Sequence, residues 1–458
     1  MLKRILIANR GEIALMVLRA CRELEIETVS VYTKGDREAL HTMMADRAVC
    51  IGEDAPSCGY LDMDNIIEAA KLTGCDAVHP GFGFLSENAR FADNCAENGL
   101  VFIGPSGDVI SKLGDKAEAR KSAKEAGASI VPGSDGPVRT LEEAMSCAEE
   151  IGWPVLIKAA AGGGGRGMRI ARMPEELGVA FAEAGEEAEK CFADGTLYIE
   201  KLIEDPRHIE IQILADREGN VIHLGERNCS IQRRNQKMME EAPDWTLTAS
   251  MREAMGRDAV NIAKAAGYEN AGTVEFITSG NNYYFIEMNT RLQVEHPVTE
   301  MVTGIDIVKE QIRIASGLAL TKKQEDIQTK GHAIECRICA EDVFRGYAPD
   351  AGDIDFLHLP SGFGVRVESA LYSGCRISPF YDSMICKIIA YGDTRLEAIR
   401  RMRRALGETI IRGRKTTLPV QHLILYNREF LRGNYDTGFM EKYGAGFLEL
   451  YEAAGGKE

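Results

Sequence analysis

Several things are missing from this chain of 458 residues, and each absence narrows the field. There is no excess of basic charge. The 54 Lys and Arg stand against 70 Asp and Glu, a formal net charge of −16, which argues against nucleic acid as the main partner. No apolar run is long enough to span a bilayer and no signal-peptide pattern follows Met1, so a cytoplasmic protein with no membrane partner is expected. The 12 cysteines lack framework spacing and fit a reducing compartment, where buried thiols are tolerated. Internal repeats and low-complexity tracts are absent. So are two phosphate-binding signatures, GxGxxG and a glycine loop ending in GK[ST].

What is present reads as a soluble α/β protein of about three domains. Residues 1–103 alternate strand and helix. Arg4–Ala8 is a buried strand, followed by a helix with Ile13, Met16, Val17, Ala20 and Leu24 on one face, then strand Thr28–Tyr32. Helix Met63–Leu72, strand Asp76–His79, the turn Gly81-Phe82-Gly83, helix Glu87–Asn98 and strand Val101–Ile103 repeat the pattern. This predicts a doubly wound, Rossmann-like domain. The 81–83 turn lies at the carboxyl end of a strand, where such sheets bind ligands, though a plain tight turn reads equally well.

Residues 104–131 form a helical linker, whose main helix opens at Asp115-Lys116. The cluster Pro132–Pro137 marks a boundary. A small domain, 132–203, then holds helix Leu141–Ile151, strand Pro154–Ala159 with Lys158, and the glycine-rich loop 161–167. Strand Met168–Ala171, helix Pro174–Cys191 and strand Thr196–Glu200 complete it. Consecutive glycines let backbone N–H groups approach phosphate oxygens, so a hairpin tip of this kind beside a strand lysine suits a lid over nucleotide phosphates. The plain alternative is a floppy turn.

The third domain, 204–447, opens with the alternating strand His208–Leu214 and strand Val221–Glu226. The polar run Arg227–Lys237 has little to bury and reads as a loop, functional or merely superficial. Cys229 within it lacks a His partner and reads as a structural thiol. Gly272–Glu300 carries the most chemistry. Its front half is a hairpin, and a three-residue loop, 280–282, would set Glu275 opposite Glu287. Alternation beyond it places Glu287, Asn289, Arg291, Gln293 and Glu295 on one side. Two carboxylates and an amide oxygen suit a hard cation such as Mg²⁺; an arginine and a further carboxylate suit a small anion and a proton transfer. In strand His332–Cys339 the lone CxxC pair argues against zinc or redox use, and Arg337 is either paired with Glu335 or aimed at the site. Helix Leu396–Thr409 is expected to bury Leu396, Ile399, Met402 and Leu406 under a solvated arginine face.

Taken together, IANRGEIA, HPGFGFLSEN, GDK at 114–116, KAAAGGGGRGM, EKLIEDPRHIEIQ, CSIQRRNQKMMEEAP, EMNTRLQVEHPVTE, GHAIECRICAED and PFYDSM resemble the biotin carboxylase family of ATP-grasp enzymes over nearly the whole chain. The resemblance implies an ATP-grasp fold: a Rossmann-like N-terminal domain, a small lid and a sheet-rich C-terminal domain of α+β character. It implies MgATP-dependent (or Mn²⁺-dependent) carboxylation of biotin by bicarbonate. Biotin would ride on a separate biotin carboxyl carrier protein, since the nearest match to Met-Lys-Met, Gln236-Lys237-Met238, lacks the first Met. Carboxyltransferase subunits of an acetyl-CoA carboxylase in fatty-acid synthesis would be the further partners; a pyruvate or propionyl-CoA carboxylase is the alternative, and a different ATP-grasp carboxylate ligase the rival.

By the same resemblance, Lys116, Lys158, the Gly164-Gly165 backbone and His208 would hold ATP phosphates or ribose. Glu200, Lys201 and Ile203 would line the adenine hinge, and Gln232 and Asn235 would stand in the nucleotide-contacting loop. Glu275, Glu287 and Asn289 would hold the metal. Lys237, Arg291, Gln293 and the Val294 backbone would bind bicarbonate, with Glu295 as base. Arg337 would stabilise the biotin enolate, and Phe82 would sit near biotin. The chain departs from the family pattern at Asn235 (usually His), Phe82 (commonly Tyr) and Met16 (usually Arg, at the dimer interface). Arg19, Glu23, Phe363 and Arg366 match, which implies a homodimer.

Overall fold

The computed structural model describes residues 2–159, 167–192 and 194–456. The N-terminal sheet is parallel, in the order Arg47–Gly52, Glu27–Thr33, Arg4–Ile7, Ala77–His79, Val101–Phe102. The expected doubly wound topology is there, with one addition. Arg47–Gly52 escaped the sequence reading because it is an edge strand with only Ile51 buried, so it has no alternation to reveal it. The chain order reverses between Arg4–Ile7 and Ala77–His79, the place where such sheets open a crevice. There the buried Asn9 amide donates to the carbonyls of Pro80 (2.7 Å) and Phe82 (2.8 Å), pinning the 81–83 turn. Gly81 has φ +64°, and a Cβ there would stand 2.8 Å from that amide. Met16 is buried in a core that the first helix shares with Leu214, Leu292 and Ile312 of the third domain, so within the single chain it is an interior residue.

The small domain is a three-stranded antiparallel sheet, Met168–Ala171, Val155–Ala159, Leu197–Lys201, backed by helices Leu141–Ile151 and Pro174–Phe192. Val155, Ile157 and Ile199 face those helices, which leaves Lys158 and Glu200 on the other side. The glycine loop lies outside the described residues except for Gly167.

The remainder is built on an eight-stranded sheet. Its order is Asn282–Asn289, Asn270–Ser279, Arg207–Ala215, Val221–Arg233, Gln236–Ala242, His332–Cys339, Met384–Gly392, Val365–Ser369, and every pairing is antiparallel. Helix Ala249–Ala266 covers the apolar face formed by Ile209, Ile211, Ile213, Val274 and Phe276. Helices Arg395–Glu408, Leu418–Ile424 and Phe439–Ala453 cover Met239, Ile334, Cys336 and Ile388 farther along. The opposite face of the sheet carries the charged residues.

Four expectations change here. The polar run 227–237 is strand, tight turn and strand rather than loop, and Arg227 through Ile231 are buried. The 272–289 hairpin has a two-residue turn, since Ser279 pairs with Asn282; a bulge between Phe285 and Glu287 restores the register, so Glu275 still faces Glu287. Leu396 is 50% exposed, and Ala398 and Ala405 bury beside Ile399, Met402 and Leu406 instead. The arginines of that helix are not simply solvated: Arg395 pairs with Glu241, Arg401 with Glu397, and Arg403 donates to the Leu425 carbonyl. No described helix is long and apolar enough to cross a membrane.

The turn of the 221–242 hairpin, Arg234-Asn235, has φ +49° and +65°. Asn tolerates this left-handed region better than most residues, which gives a conformational reason for Asn at 235. Asn235→Val is expected to destabilise the chain by about 1–2 kcal/mol, measured by urea denaturation, whereas Asn235→Gly is expected to be close to neutral.

Candidate active site

Alternation in strand Arg207–Ala215 sends Ile209, Ile211 and Ile213 into the core and His208, Glu210 and Gln212 to the charged face. Directly opposite Glu210 on the next strand is Arg227, which has no exposed surface. All five of its donor positions are used. Nε goes to Glu210, Nη1 to Gln212 (2.7 Å) and Thr299 (3.0 Å), and Nη2 to Thr273 (3.1 Å) and Gln293 (2.9 Å). Full satisfaction is what makes a buried guanidinium tolerable.

Lys237 brings three carboxylates to one point. Its Nζ is 2.7 Å from Glu210 Oε2, 3.0 Å from Glu275 Oε1 and 2.7 Å from Glu295 Oε1. Glu275 also accepts from Asn289 Nδ2 (2.9 Å) and Gln293 Nε2 (2.7 Å), and His208 Nε2 lies 2.9 Å from its other oxygen. The second Glu295 oxygen receives Arg337 Nη2 at 2.9 Å, while Arg337 Nε binds Glu240 at 2.6 Å. Arg337 therefore reaches the site, and Glu335 is not its partner.

Burial by itself pushes the Glu295 carboxyl up, but Lys237, then Arg337 and Arg227, hold it well below the usual range. Glu275 is likewise pushed up by burial and brought well below by Lys237 and His208. Burial lowers the Lys237 ammonium, and the three carboxylates more than reverse that, so the cation is retained. Cys229 Sγ lies 4.0 Å from Glu295, and burial, reinforced by Glu210, raises the thiol well above its ordinary value. It is a protonated, inert group as the structure stands.

The row from Glu287 to Glu295 is not one strand face. The strand ends at Asn289, residues 290–295 are irregular, and Glu295 immediately precedes helix His296–Thr303. The segment is fixed by anchors instead. Lys387 donates to the Val294 carbonyl (2.8 Å), Leu292 is fully buried, and Arg291 is held by Glu87 (2.8 Å) and Asn289 Oδ1 (3.1 Å).

The other expected residues are placed as follows. Lys158 pairs with Glu200, which Arg120 also approaches (3.4 Å). The Lys201 amine donates to the carbonyls of Gly152 (3.1 Å) and Trp153 (2.5 Å), and its backbone N–H donates to the Pro132 carbonyl (2.8 Å). Ile203 is half-buried where the small sheet gives way to strand 207–215. Gln232 pairs with Lys237 across the hairpin, and Asn235 is at its tip. Lys116 opens helix Lys116–Glu125 behind an Asp115 cap, and its charge acts on Glu287. The Phe82 ring lies 5.6 Å from Lys387 Nζ. Gly164 and Gly165 lie outside the described residues.

Glu275, Glu287 and Asn289 would suit a hard divalent cation by donor type; in this structure the Asn289 oxygen accepts from Arg291, and Glu275 is engaged by Lys237, Gln293 and His208. Glu287 is raised by burial and then by Glu275 facing it, so a cation between them would relieve a real electrostatic cost. Sequence reasoning missed Glu210, Arg227, Glu240, Lys387 and Glu87. A signal existed for Glu210, whose acid stands on the polar side of a strand otherwise filled with isoleucine. For Arg227 and Lys387 the decisive fact is long-range neutralisation, which spacing does not encode. A cavity of about 410 Å³, lined among others by Leu24, Ile222, Lys309 and Leu320, lies elsewhere, and none of these convergent groups lines it.

Comparison with known proteins agrees along the whole chain. Residues 1–110 match the biotin carboxylase N-terminal domain, 115–323 the carbamoyl-phosphate synthase L chain ATP-binding domain, and 335–442 the biotin carboxylase C-terminal domain. The chain is 56% identical over 445 residues to biotin carboxylase 1 of Bacillus subtilis, covering 97% of this chain and 99% of that one. It is 52% identical over 446 residues to a pyruvate carboxylase subunit of Methanothermobacter thermautotrophicus, covering 97% and 91%. Among solved structures it resembles the biotin carboxylase domain dimer of Hydrogenobacter thermophilus 2-oxoglutarate carboxylase, in complex with MgADP, ADP and bicarbonate. That match has a TM-score of 0.92 and 51% identity, and covers 98% of this chain and 99% of that one.

Proposed function

The chain belongs to the biotin carboxylase family, and from that premise we propose that it carboxylates biotin on a separate carrier protein, using MgATP and bicarbonate, as the first half-reaction of a cytoplasmic acetyl-CoA carboxylase. The observation that carries the reading is Glu295 held between Lys237 and Arg337, with Gln293 and Arg291 alongside.

Lys116, Lys158, the Gly164-Gly165 backbone, His208, Glu200, Lys201, Ile203, Gln232 and Asn235 form the nucleotide side. Lys237, Arg291, Gln293 and the Val294 backbone receive bicarbonate, and Phe82 and Arg337 face biotin. Glu275, Glu287 and Asn289 would hold a divalent cation, which would neutralise phosphate charge. A carboxylate paired with two cations is a weak base. Bicarbonate entering between Lys237 and Arg291 takes over part of that positive charge and raises the proton affinity of Glu295 at the moment a proton must be accepted. The deprotonated bicarbonate attacks the γ-phosphate, breaking its bond to the β–γ bridging oxygen and releasing ADP; the resulting carboxyphosphate gives CO₂ and phosphate. Phosphate removes the ureido proton, Arg337 stabilises the enolate, and N1′ takes up CO₂. Closure of the small domain, 132–203, over the linker 104–131 and the domains 1–103 and 204–447 excludes water from the intermediate.

The chain is expected to act as a homodimer. Phe363, 83% exposed over Arg401, and Arg19 and Arg366 around Glu368 offer the surface. A pyruvate or propionyl-CoA carboxylase role is the second reading, favoured by the identity to the archaeal pyruvate carboxylase chain. The test is ADP release with Mg²⁺ and free biotin, with and without bicarbonate. Dependence on bicarbonate and stimulation by biotin are expected. ATP binding with turnover indifferent to bicarbonate would sink the proposal. Adding carrier and carboxyltransferase subunits with each carboxyl acceptor then separates the two readings.

A further inference from the structure

Behind Arg337 the sheet buries two glutamates that this reaction scheme leaves without a task. Glu240 and Glu335 are directly opposed partners in the antiparallel pairing of Gln236–Ala242 with His332–Cys339, so their side chains leave the same face. Neither has exposed surface. One Glu240 oxygen is taken by Arg337. Among the described residues, the other Glu240 oxygen and both Glu335 oxygens are buried with no hydrogen-bond partner.

The surroundings do not neutralise two charges. Arg337, next but one to Glu335 on its strand, is divided between Glu240 and Glu295. Lys387, opposite Arg337 on the next strand, is committed to Glu12 of the first helix (3.0 Å) and to the Val294 carbonyl (2.8 Å). Lys237, on Glu240's own strand, serves Glu210, Glu275 and Glu295. From the helix above, Glu295 adds negative charge and His296 is kept neutral by burial and by Lys387. Cys229, on the strand next to that of Glu240, and Cys336, which follows Glu335 on its own strand and turns to the apolar face, are protonated thiols. Two ionised carboxylates on directly opposed residues of a buried sheet face repel strongly. A single proton between them removes one charge and pairs two of the three orphaned oxygens.

We propose that Glu240 and Glu335 share one proton and, as a carboxyl–carboxylate pair, position Arg337 between Glu240 and Glu295. With one proton present, Glu240 anchors the guanidinium through Nε (2.6 Å) and Nη2 (2.5 Å), and Nη2 still reaches Glu295 at 2.9 Å. With the proton gone, a second negative charge draws Arg337 back and offsets the charge it would offer biotin. Burial, opposed by Arg337, raises Glu240 to about 7, and burial, opposed by Lys387, raises Glu335 well above the carboxylate range, in keeping with a proton held at neutral pH.

The positioning role rests on the biotin carboxylase reading; the proton does not. The test therefore has two arms on the full chain. Infrared spectroscopy near neutral pH is expected to show a buried protonated carboxyl band in the parent that is lost in Glu335→Gln and in Glu335→Leu, the latter being close in volume should the former not fold. In the second arm the parent's biotin-dependent rate is expected to decline on the alkaline side. In Glu335→Gln, where an amide supplies a permanent donor, that decline should vanish. Glu240→Gln is expected to raise the KM for biotin about tenfold at every pH, the size of one lost charged hydrogen bond. Absence of the band in the parent, or its survival in both Glu335 variants, overturns the shared proton. Superimposable pH profiles for parent and Glu335→Gln overturn the positioning role. A parent with no biotin-dependent turnover sinks the functional reading and that role together, and leaves the band to report on the proton alone.

Discussion

Glu295→Gln is expected to lower bicarbonate-dependent ATP turnover by about 10³-fold, within the range for loss of a positioned general base. The substitution keeps the shape and the hydrogen-bonding reach of the side chain, so Lys237 and Arg337 retain an acceptor but lose a charge. Nucleotide affinity should stay close to the parent's, because Glu295 pairs with Lys237 and Arg337 rather than with the residues assigned to the nucleotide. The check is a nucleotide titration beside single-turnover ADP release. A variant keeping more than about a tenth of the bicarbonate-dependent rate would falsify the assignment of Glu295 as the base.

The same substitution has a pH signature. Glu295 and Glu275 are held well below the ordinary carboxylate value in the folded chain, burial notwithstanding, by Lys237 and its companion cations. A depressed folded value stabilises the fold above the unfolded value of about 4.3, and that contribution disappears as the pH falls through the folded value. Parent and Glu295→Gln should therefore differ most in stability near neutrality and converge in acid. Glu240 and Glu335 run the other way. Their folded values are raised, so the stability present at low pH is lost as the pH rises, and Glu335→Gln should stabilise the chain progressively toward the alkaline side.

How much of this was legible in the sequence depended on the range of the interaction involved. The doubly wound domain was legible because helix and strand periodicities are local, and its one missing strand, Arg47–Gly52, is the edge strand with least to bury. Glu275 facing Glu287 was reached from the wrong turn length, and a bulge restored the pairing. The row Glu287 to Glu295 was read as a strand continuing past Asn289. The chain breaks there, but Lys387, Glu87 and Arg227 gather the same residues from outside. The run 227–237 misled for a specific physical reason. Polarity normally signals solvent. Here Arg227, Asn228 and Ser230 are interior because their partners, Glu210, Asp244, Gln293 and the His208 amide, come from distant segments. A charge that is neutralised only in three dimensions looks exposed in one.

Arg227 is therefore where the fold should be least forgiving. Arg227→Lys keeps the charge and is expected to cost about 3–5 kcal/mol all the same, the range for breaking a buried ionic network. A lysine has three donors on a flexible stem in place of five in a planar fork. The fork spans Glu210, Gln212, Thr273, Thr299 and Gln293, on four separate segments, and an ammonium group cannot reach them all. Each acceptor left alone in the interior bears its own desolvation penalty, about 1–3 kcal/mol, so part of the loss is recovered only by structural relaxation. That relaxation would shift Gln293 and Glu210, and with them Glu275 and Lys237, so turnover should fall along with stability. The comparison variant is Arg172→Lys. Arg172 pairs with Glu204 at 3.0 Å with both side chains 60% exposed, and an exposed pair is worth about 0–1 kcal/mol. Urea midpoints of the two variants should separate clearly, with Arg172→Lys near the parent. If they coincide, the buried guanidinium is not what holds strands 207–215, 221–233 and 270–279 to the segment carrying Gln293, and the site must owe its geometry to the hydrophobic packing of Ile209, Ile211 and Val274 on the other face alone.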